Sequence, residues 1–229
     1  MNKQKPDGVI IYCAFITDIR KHRTSSVTLV NCIVAAPIVV SKFCKKLTLI
    51  KCRGQNEDKV VLDPSTLLEL NVHNTKTKYI GNPCMYPINL CIVGSYARVP
   101  HAHAYGDVIV NSIGKCVIVK PSVLTPAKSF DINCKFGAVV VRSIACTRLS
   151  VSAKRCFVCD VNTRHLRVNG SWLYGFVHVA ETMELQSCYI SENFDVTVPQ
   201  GVSAVLNNCK IEKDKYEFAS LVDCQVAVD

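Results

Sequence analysis

The stretch "SAVLNNCKIEKDKYEFASLVDCQVAVD" (203–229) carries the pattern that decides the fold. Leu206-x-x-Cys209 returns fifteen residues later as Leu221-x-x-Cys224. The wider frame is apolar-x-apolar-x-x-Cys, and it recurs upstream. "VTLVNC" (27–32) supplies Val27, Leu29 and Cys32, and "LTLIKC" (47–52) supplies Leu47, Leu49 and Cys52. "MELQSC" (183–188) supplies Met183, Leu185 and Cys188. Relatives without the final thiol start at 68 ("LELNVH"), 88 ("INLCIV"), 108 ("VIVNSI"), 130 ("FDINCK"), 149 ("LSVSAK") and 166 ("LRVNGS"). A second short apolar run follows about ten residues into most units, as in "KVVL" (59–62), "CVIV" (116–119), "AVVV" (138–141) and "FVHV" (176–179).

Short alternating runs bounded by Gly, Pro, Asn and Ser read as strands. A unit of about twenty residues cannot bury its own apolar face, whereas stacked units bury a continuous core with like residues above like residues. The pattern therefore predicts an all-β, single-domain parallel β-helix of about ten or eleven coils. Units of this length suit the right-handed form. Residues 1–26 are expected to form a basic N-terminal cap or first coil, and 27–229 the solenoid. The alternative is a β-sandwich or jelly-roll barrel, because many evenly spaced strands also suit those folds. Cys209 and Cys224 are expected on one inward rung, where a thiol packs as a small hydrophobe. Asn31 and Asn208, just before their cysteines, are expected at corners, since Asn tolerates turn conformations. The segments nearest to helix are Pro64 to Glu69 and Glu212 to Ala219.

The pattern resembles parallel β-helix proteins in general. "SAVLNNCKIEKD" (203–214) also resembles coils of the cyclase-associated-protein and tubulin-cofactor-C group, over one or two coils. That resemblance carries no functional residue across.

Composition agrees with a packed domain. The chain is 49% hydrophobic and 20% charged, and Val, Ile and Leu outweigh a 7% aromatic share. Branched aliphatics favour strands. There are 14 cysteines. The N-terminal apolar run, Val9 to Ile16, is interrupted by Tyr12 and followed by Thr17 and Asp18, unlike a secretory leader. The cysteines are therefore expected to be mostly buried thiols in a reducing, intracellular compartment, cytoplasmic or nuclear. No run reaches the length of a membrane span.

The net charge is +9 and is concentrated early. Residues 1–60 hold eleven Lys/Arg against four Asp/Glu, and residues 61–229 hold sixteen against fourteen. Such asymmetry points to an acidic partner, nucleic acid or an anionic surface, or to a solvated basic face. The anion-binding candidates are Arg20, Lys21, Arg23, Lys45, Lys46, Lys51 and Arg53 in the first group, with Lys42 and His22 beside them. The second group is Arg142, Arg148, Lys154, Arg155, Arg164 and Arg167. Stacked coils would align such residues along a phosphate backbone. Phe43, Phe157 and Trp172 are the nearby aromatics, so binding would be mostly electrostatic.

Catalytic signals are sparse. His101-x-His103 followed by Asp107 would place two imidazoles and a carboxylate together, since alternate strand residues share a face. The spacing Gly94-x6-His-x-His-x3-Asp107-x6-Gly114 is similar to the first metal motif of cupins, with one extra residue and Asp in place of Glu. The second cupin motif is missing its histidine, because Ala204 stands there in "PQGVSA". No Asp-Asp pair suits glycan cleavage. Cys156-x-x-Cys159 lacks the helix of a redox motif and the second pair of a zinc site. The sequence thus points first to a non-enzymatic interaction or scaffold protein, without a cofactor, that binds a protein partner or self-assembles through solenoid faces or ends. Its compact, cysteine-rich style fits a viral origin. An electrostatic nucleic-acid-binding protein and a cupin-like metal enzyme at the His101 loop are the alternatives.

Overall fold

The structure, a computed structural model, describes residues 8–35, 37–56, 58–64, 66–80, 89–94, 97–99, 106–112, 116–119, 127–199, 202–212 and 225–227. The chain divides into two compact units, residues 1–94 and 95–229. Each is a parallel β-solenoid, and the described residues contain no helix. Parallel stacking excludes the antiparallel sandwich and jelly-roll alternative.

In the first unit, β1 (Gly8–Tyr12), β3 (Ser26–Val30), β6 (Lys46–Ile50), β9 (Glu69–His73) and β11 (Asn89–Gly94) form one parallel ladder. A second face stacks β2 (Phe15–Ile16), β4 (Ile33–Val34) and β7 (Arg53–Gly54). The third stacks β5 (Ile38–Val39), β8 (Val60–Asp63) and β10 (Thr77–Tyr79). A coil is therefore three short strands joined by corners. The register places Val9, Val27, Leu47, Leu70 and Leu90 in one column and Ile11, Leu29, Leu49, Val72 and Ile92 in the next. From Val27 and Leu29 onward both columns are buried. Burying each such side chain stabilises the fold by roughly 1.5–3 kcal/mol before entropy is counted.

The expected frame needs a two-residue shift in two coils; in the later one Leu90 is in register with Leu70, so the rung begins at 90 and not at the 88 of "INLCIV". Leu68 is 50% exposed, while Leu70 and Val72 face inward. The rung is "LNVHNT" (70–75), not "LELNVH". Alternation has period two, so Leu68-x-Leu70-x-Val72 reads equally well in either frame. Pro64 to Glu69 forms no helix; Leu67 N–H donates to Pro64 O in a tight turn (2.9 Å). Glu212 to Ala219 falls almost wholly outside the described residues, as do Leu221 and Cys224.

In the second unit, β12 (Ala97–Val99), β13 (Asp107–Ser112) and β14 (Cys116–Val119) precede two long bent strands, β15 (Ala127–Asn169) and β16 (Trp172–Gln186). β17 (Tyr189–Thr197), β18 (Ser203–Asn207), β19 (Lys210–Ile211) and β20 (Gln225–Ala227) complete it. Leu166, Met183 and Ala204 form one buried column, and Val168, Leu185 and Leu206 another.

The corners explain the repeat frame. Asn31 (φ 53°) and Asn208 (φ 50°) adopt the left-handed conformation expected of them. Cys13, Lys51, Asn74, Ser187 and Gly170 do so at equivalent places. The residue that follows turns inward, giving Cys32, Cys52 and Thr75 in the first unit and Ser171, Cys188 and Cys209 in the second. Each of these side chains donates a hydrogen bond to the carbonyl two residues earlier. Cys52 Sγ donates to Ile50 O (3.4 Å), Thr75 Oγ1 to His73 O (3.0 Å), Ser171 Oγ to Asn169 O (3.3 Å) and Cys188 Sγ to Gln186 O (3.3 Å). The thiol is thus more than a small hydrophobe. It gives a second hydrogen bond to a carbonyl that already accepts a corner N–H from the neighbouring coil, as Val30 O does from Cys13 and Ile50 O from Asn31, and Ser and Thr can donate the same bond. The corner cysteines Cys32, Cys52, Cys188 and Cys209 are free thiols.

Candidate interaction surface

In the second unit, "WLYGF" (172–176) alternates strictly enough to send Leu173 into the core and Trp172 outward. Gly175 then bends the strand with φ +100°, and Phe176 points outward beyond the bend. A Cβ on Gly175 would lie 1.6 Å from Val158 O, so the bend admits only glycine. One coil back, Phe157 is in register with Tyr174; one coil forward, Tyr189 is in register with Trp172. The rings stack accordingly. Phe157 and Tyr174 have centroids 4.9 Å apart at 14°, and Trp172 and Tyr189 are 4.7 Å apart at 25°. Phe157, Trp172 and Phe176 remain 38%, 49% and 45% exposed.

Within each stacked pair the rings spend one face on each other. What the surface offers is therefore a wide apolar patch, and not a slot for an intercalated base. Such exposed apolar groupings mark binding surfaces. Charges of both signs border the patch. Arg155 is in register with Trp172, and Lys210 with Tyr189. Glu192 N–H donates to Glu212 Oε2 (3.0 Å). Partial desolvation, and then the neighbouring Glu212 carboxylate, hold the Tyr189 phenol above its ordinary pKa.

The sequence reading named Phe157 and Trp172 but missed Tyr174 and Tyr189. Tyr174 was readable from the alternation in "WLYGF". Tyr189 needed the seventeen-residue step between coils, visible from Trp172 only once the register is known.

The second basic group does not stand as one stripe. Arg155 lies beside Trp172, whereas Arg167 lies beyond the Asp160 corner (φ 55°) in register with Glu184. Arg167 Nε is 3.4 Å from Glu184 Oε2, and Arg164 Nε is 3.6 Å from Glu181 Oε1. His165 joins Glu181 from the same segment (3.3 Å). Arg142, Arg148, Lys154 and Arg155 are exposed and make no ion pair among the described residues.

In the first unit the corners sort the basic residues into two places. Arg20, Lys21 and Arg23 precede β3, and Lys42 and Lys45 precede β6, at the same corner one coil on. Ser41 Oγ donates to His22 O (3.1 Å) and Lys45 N–H to Ser25 O (2.7 Å), tying the two turns together. Arg20 is held by Asp18 (3.0 Å) and Lys46 by Glu69 (2.7 Å). Lys46 is the first cause of the lowered Glu69 pKa. Lys51 forms the corner after β6 and Arg53 opens β7, at the opposite corner.

The remaining motifs resolve simply. His101 and His103 lie outside the described residues. Asp107 accepts a hydrogen bond from Ser129 Oγ (2.6 Å) and lies 3.7 Å from Lys128 Nζ. Among the described residues no group of three His, Cys, Asp or Glu side chains is placed to hold a metal ion. Cys156 is fully buried and its thiol is pushed up to about 12 by desolvation, whereas Cys159 is exposed before the Asp160 corner. The two therefore face opposite ways. A recess of about 170 Å³ in the first unit, bordered by Val34, Ala35, Gly54 and Lys59, is smaller than ordinary ligand sites. No helix among the described residues is long and apolar enough to cross a membrane. No family model matches the chain, and no curated protein or solved structure matches it either.

Proposed function

We propose that the protein is a non-enzymatic interaction module that self-associates through the aromatic face of its second unit. The observation that carries this reading is the exposed ladder of Phe157, Trp172, Tyr174 and Tyr189 on adjoining coils. Its border supports a second copy as the occupant. Arg155 and Lys210 stand at the two ends of the Trp172–Tyr189 column and Glu212 stands beside Tyr189, so the border offers both signs of charge to a partner copy. Aromatic residues with arginine are also the usual anchors of protein interfaces.

Sedimentation velocity over a concentration series tests this. The wild-type chain is expected to sediment increasingly as a dimer. Phe157→Ser with Trp172→Ser is expected to leave a monomer with an unchanged far-ultraviolet dichroism spectrum. A wild-type monomer at every concentration, or a dimer indifferent to the two substitutions, contradicts the reading.

The electrostatic nucleic-acid reading draws its support from Arg142, Arg148, Lys154 and Arg155. They are exposed cations of the second unit that make no ion pair among the described residues. It requires binding to a labelled RNA at physiological salt with a slope of several ions.

A further inference from the structure

The basic corner of the first unit has a composition that neither reading above uses. We propose that it docks on an anionic lipid surface.

Three turns stack there. Lys21 and Arg23 come from the first, Lys42, Phe43 and Lys45 from the second, and Leu68 from the third. Backbone bonds fix them as neighbours: Lys45 N–H donates to Ser25 O (2.7 Å) and Leu68 N–H to Lys45 O (2.8 Å). Lys21, Arg23, Lys42 and Lys45 are exposed and make no ion pair among the described residues. The nearby carboxylates Asp18 and Glu69 are already occupied by Arg20 and Lys46. The corner therefore presents four uncompensated cations.

Two apolar side chains project among them. Phe43 is 49% and Leu68 50% exposed, although the inward columns of the same coils are buried. Lys42 Nζ lies 5.4 Å from the Phe43 ring centroid, covering one ring face with charge. That choice separates two polyanions. A nucleic acid rewards open ring faces, onto which bases stack. Leu68 offers no such face, and Phe43 has one of its two covered. A lipid surface rewards both kinds of group at once, because cations meet the headgroups while small apolar tips enter the acyl boundary. Projection from a corner leaves these tips free to meet a flat surface first.

Flotation with phosphatidylcholine vesicles containing phosphatidylserine, beside pure phosphatidylcholine vesicles, tests the proposal. The wild-type chain is expected to bind the anionic vesicles, to ignore the neutral ones and to release as salt rises. Each cation near the surface is worth a little over fivefold, so Lys42→Gln with Lys45→Gln is expected to weaken partitioning about 25-fold. Phe43→Ser with Leu68→Ser is expected to weaken it roughly tenfold or more. Lys51→Gln with Arg53→Gln, at the opposite corner of the same unit, is the charge-matched control and is expected to bind as wild type. All six substituted sites are exposed, and a thermal melt of each variant confirms its fold. Absence of vesicle binding overturns the proposal, and so does an equal loss in the control pair. Binding of a labelled single-stranded RNA that is unaffected at Phe43 and Leu68 and displaces the vesicles also overturns it, and assigns the corner to nucleic acid.

Discussion

The two units use one rule inside and two different ones outside. Their inward columns are interchangeable in kind: branched aliphatics on the strand, then a left-handed corner, then a thiol or hydroxyl that returns a hydrogen bond to the corner carbonyl. Cys32, Cys52 and Thr75 do this in the first unit, and Ser171, Cys188 and Cys209 in the second. The outward faces diverge. On its main ladder the first unit shows Thr28, Thr48 and Asn71, with cations at the corners; the second shows Arg155, Trp172 and Tyr189 in one column. The difference teaches that the fold fixes only every second residue. The other half is free to specialise, so any binding role must be sought there.

The two corner glycines of the second unit sharpen this most strongly. Gly170 (φ +66°) has nothing within 4 Å of an added Cβ, whereas Gly175 meets Val158 O at 1.6 Å. Gly175→Ala is expected to cost more than about 4 kcal/mol, because the clash adds to backbone strain. Gly170→Ala is expected to cost roughly 1–2 kcal/mol from the conformation alone. Urea unfolding of the two variants reads the contrast, and equal losses would break it.

In the first unit the corrected frame makes a smaller prediction. Leu70→Ala empties a fully buried position and is expected to cost about 2–5 kcal/mol. Leu68→Ala, half exposed, is expected to stay within about 0.5 kcal/mol. A reversed order would restore the frame that begins at Leu68.

The smallest effect concerns reactivity and leaves stability aside. A hydrogen bond from the Cys188 thiol pulls the partly exposed Cys209 down to about 6. The same contact, with burial, pushes Cys188 up. Since alkylation requires thiolate, labelling of Cys209 is expected to rise between about pH 5 and pH 7. Cys156, at about 12, is expected to stay unlabelled at pH 8. Mass spectrometry after brief iodoacetamide treatment reads both.

Much of the inside was legible from sequence. The frame around Cys32, Cys52, Cys188 and Cys209 marked the inward rungs because a solenoid repeats its environment from coil to coil. Asn31 and Asn208 marked corners because few residues accept a positive φ. The frame failed at Leu68 and again at Ile88, where one more apolar residue in the same phase extends the alternation upstream and hides where the rung begins. The outside was less legible. Tyr189 faces Trp172 only through a seventeen-residue coil step, and other steps in the same unit are longer, as between Met183 and Ala204. The fate of each cation depended on whether the next coil set a carboxylate opposite it, as Glu184 does for Arg167 and Glu69 for Lys46. That placement follows from register, which spacing alone does not supply.

The chain has one tryptophan, and it lies on the face argued to mediate assembly. Acrylamide quenching of Trp172 fluorescence across a protein dilution series therefore tests the central claim most directly. The account predicts ready quenching in dilute solution and progressive protection, with a blue-shifted emission, as concentration rises. Quenching and emission that stay constant over the whole series would contradict it.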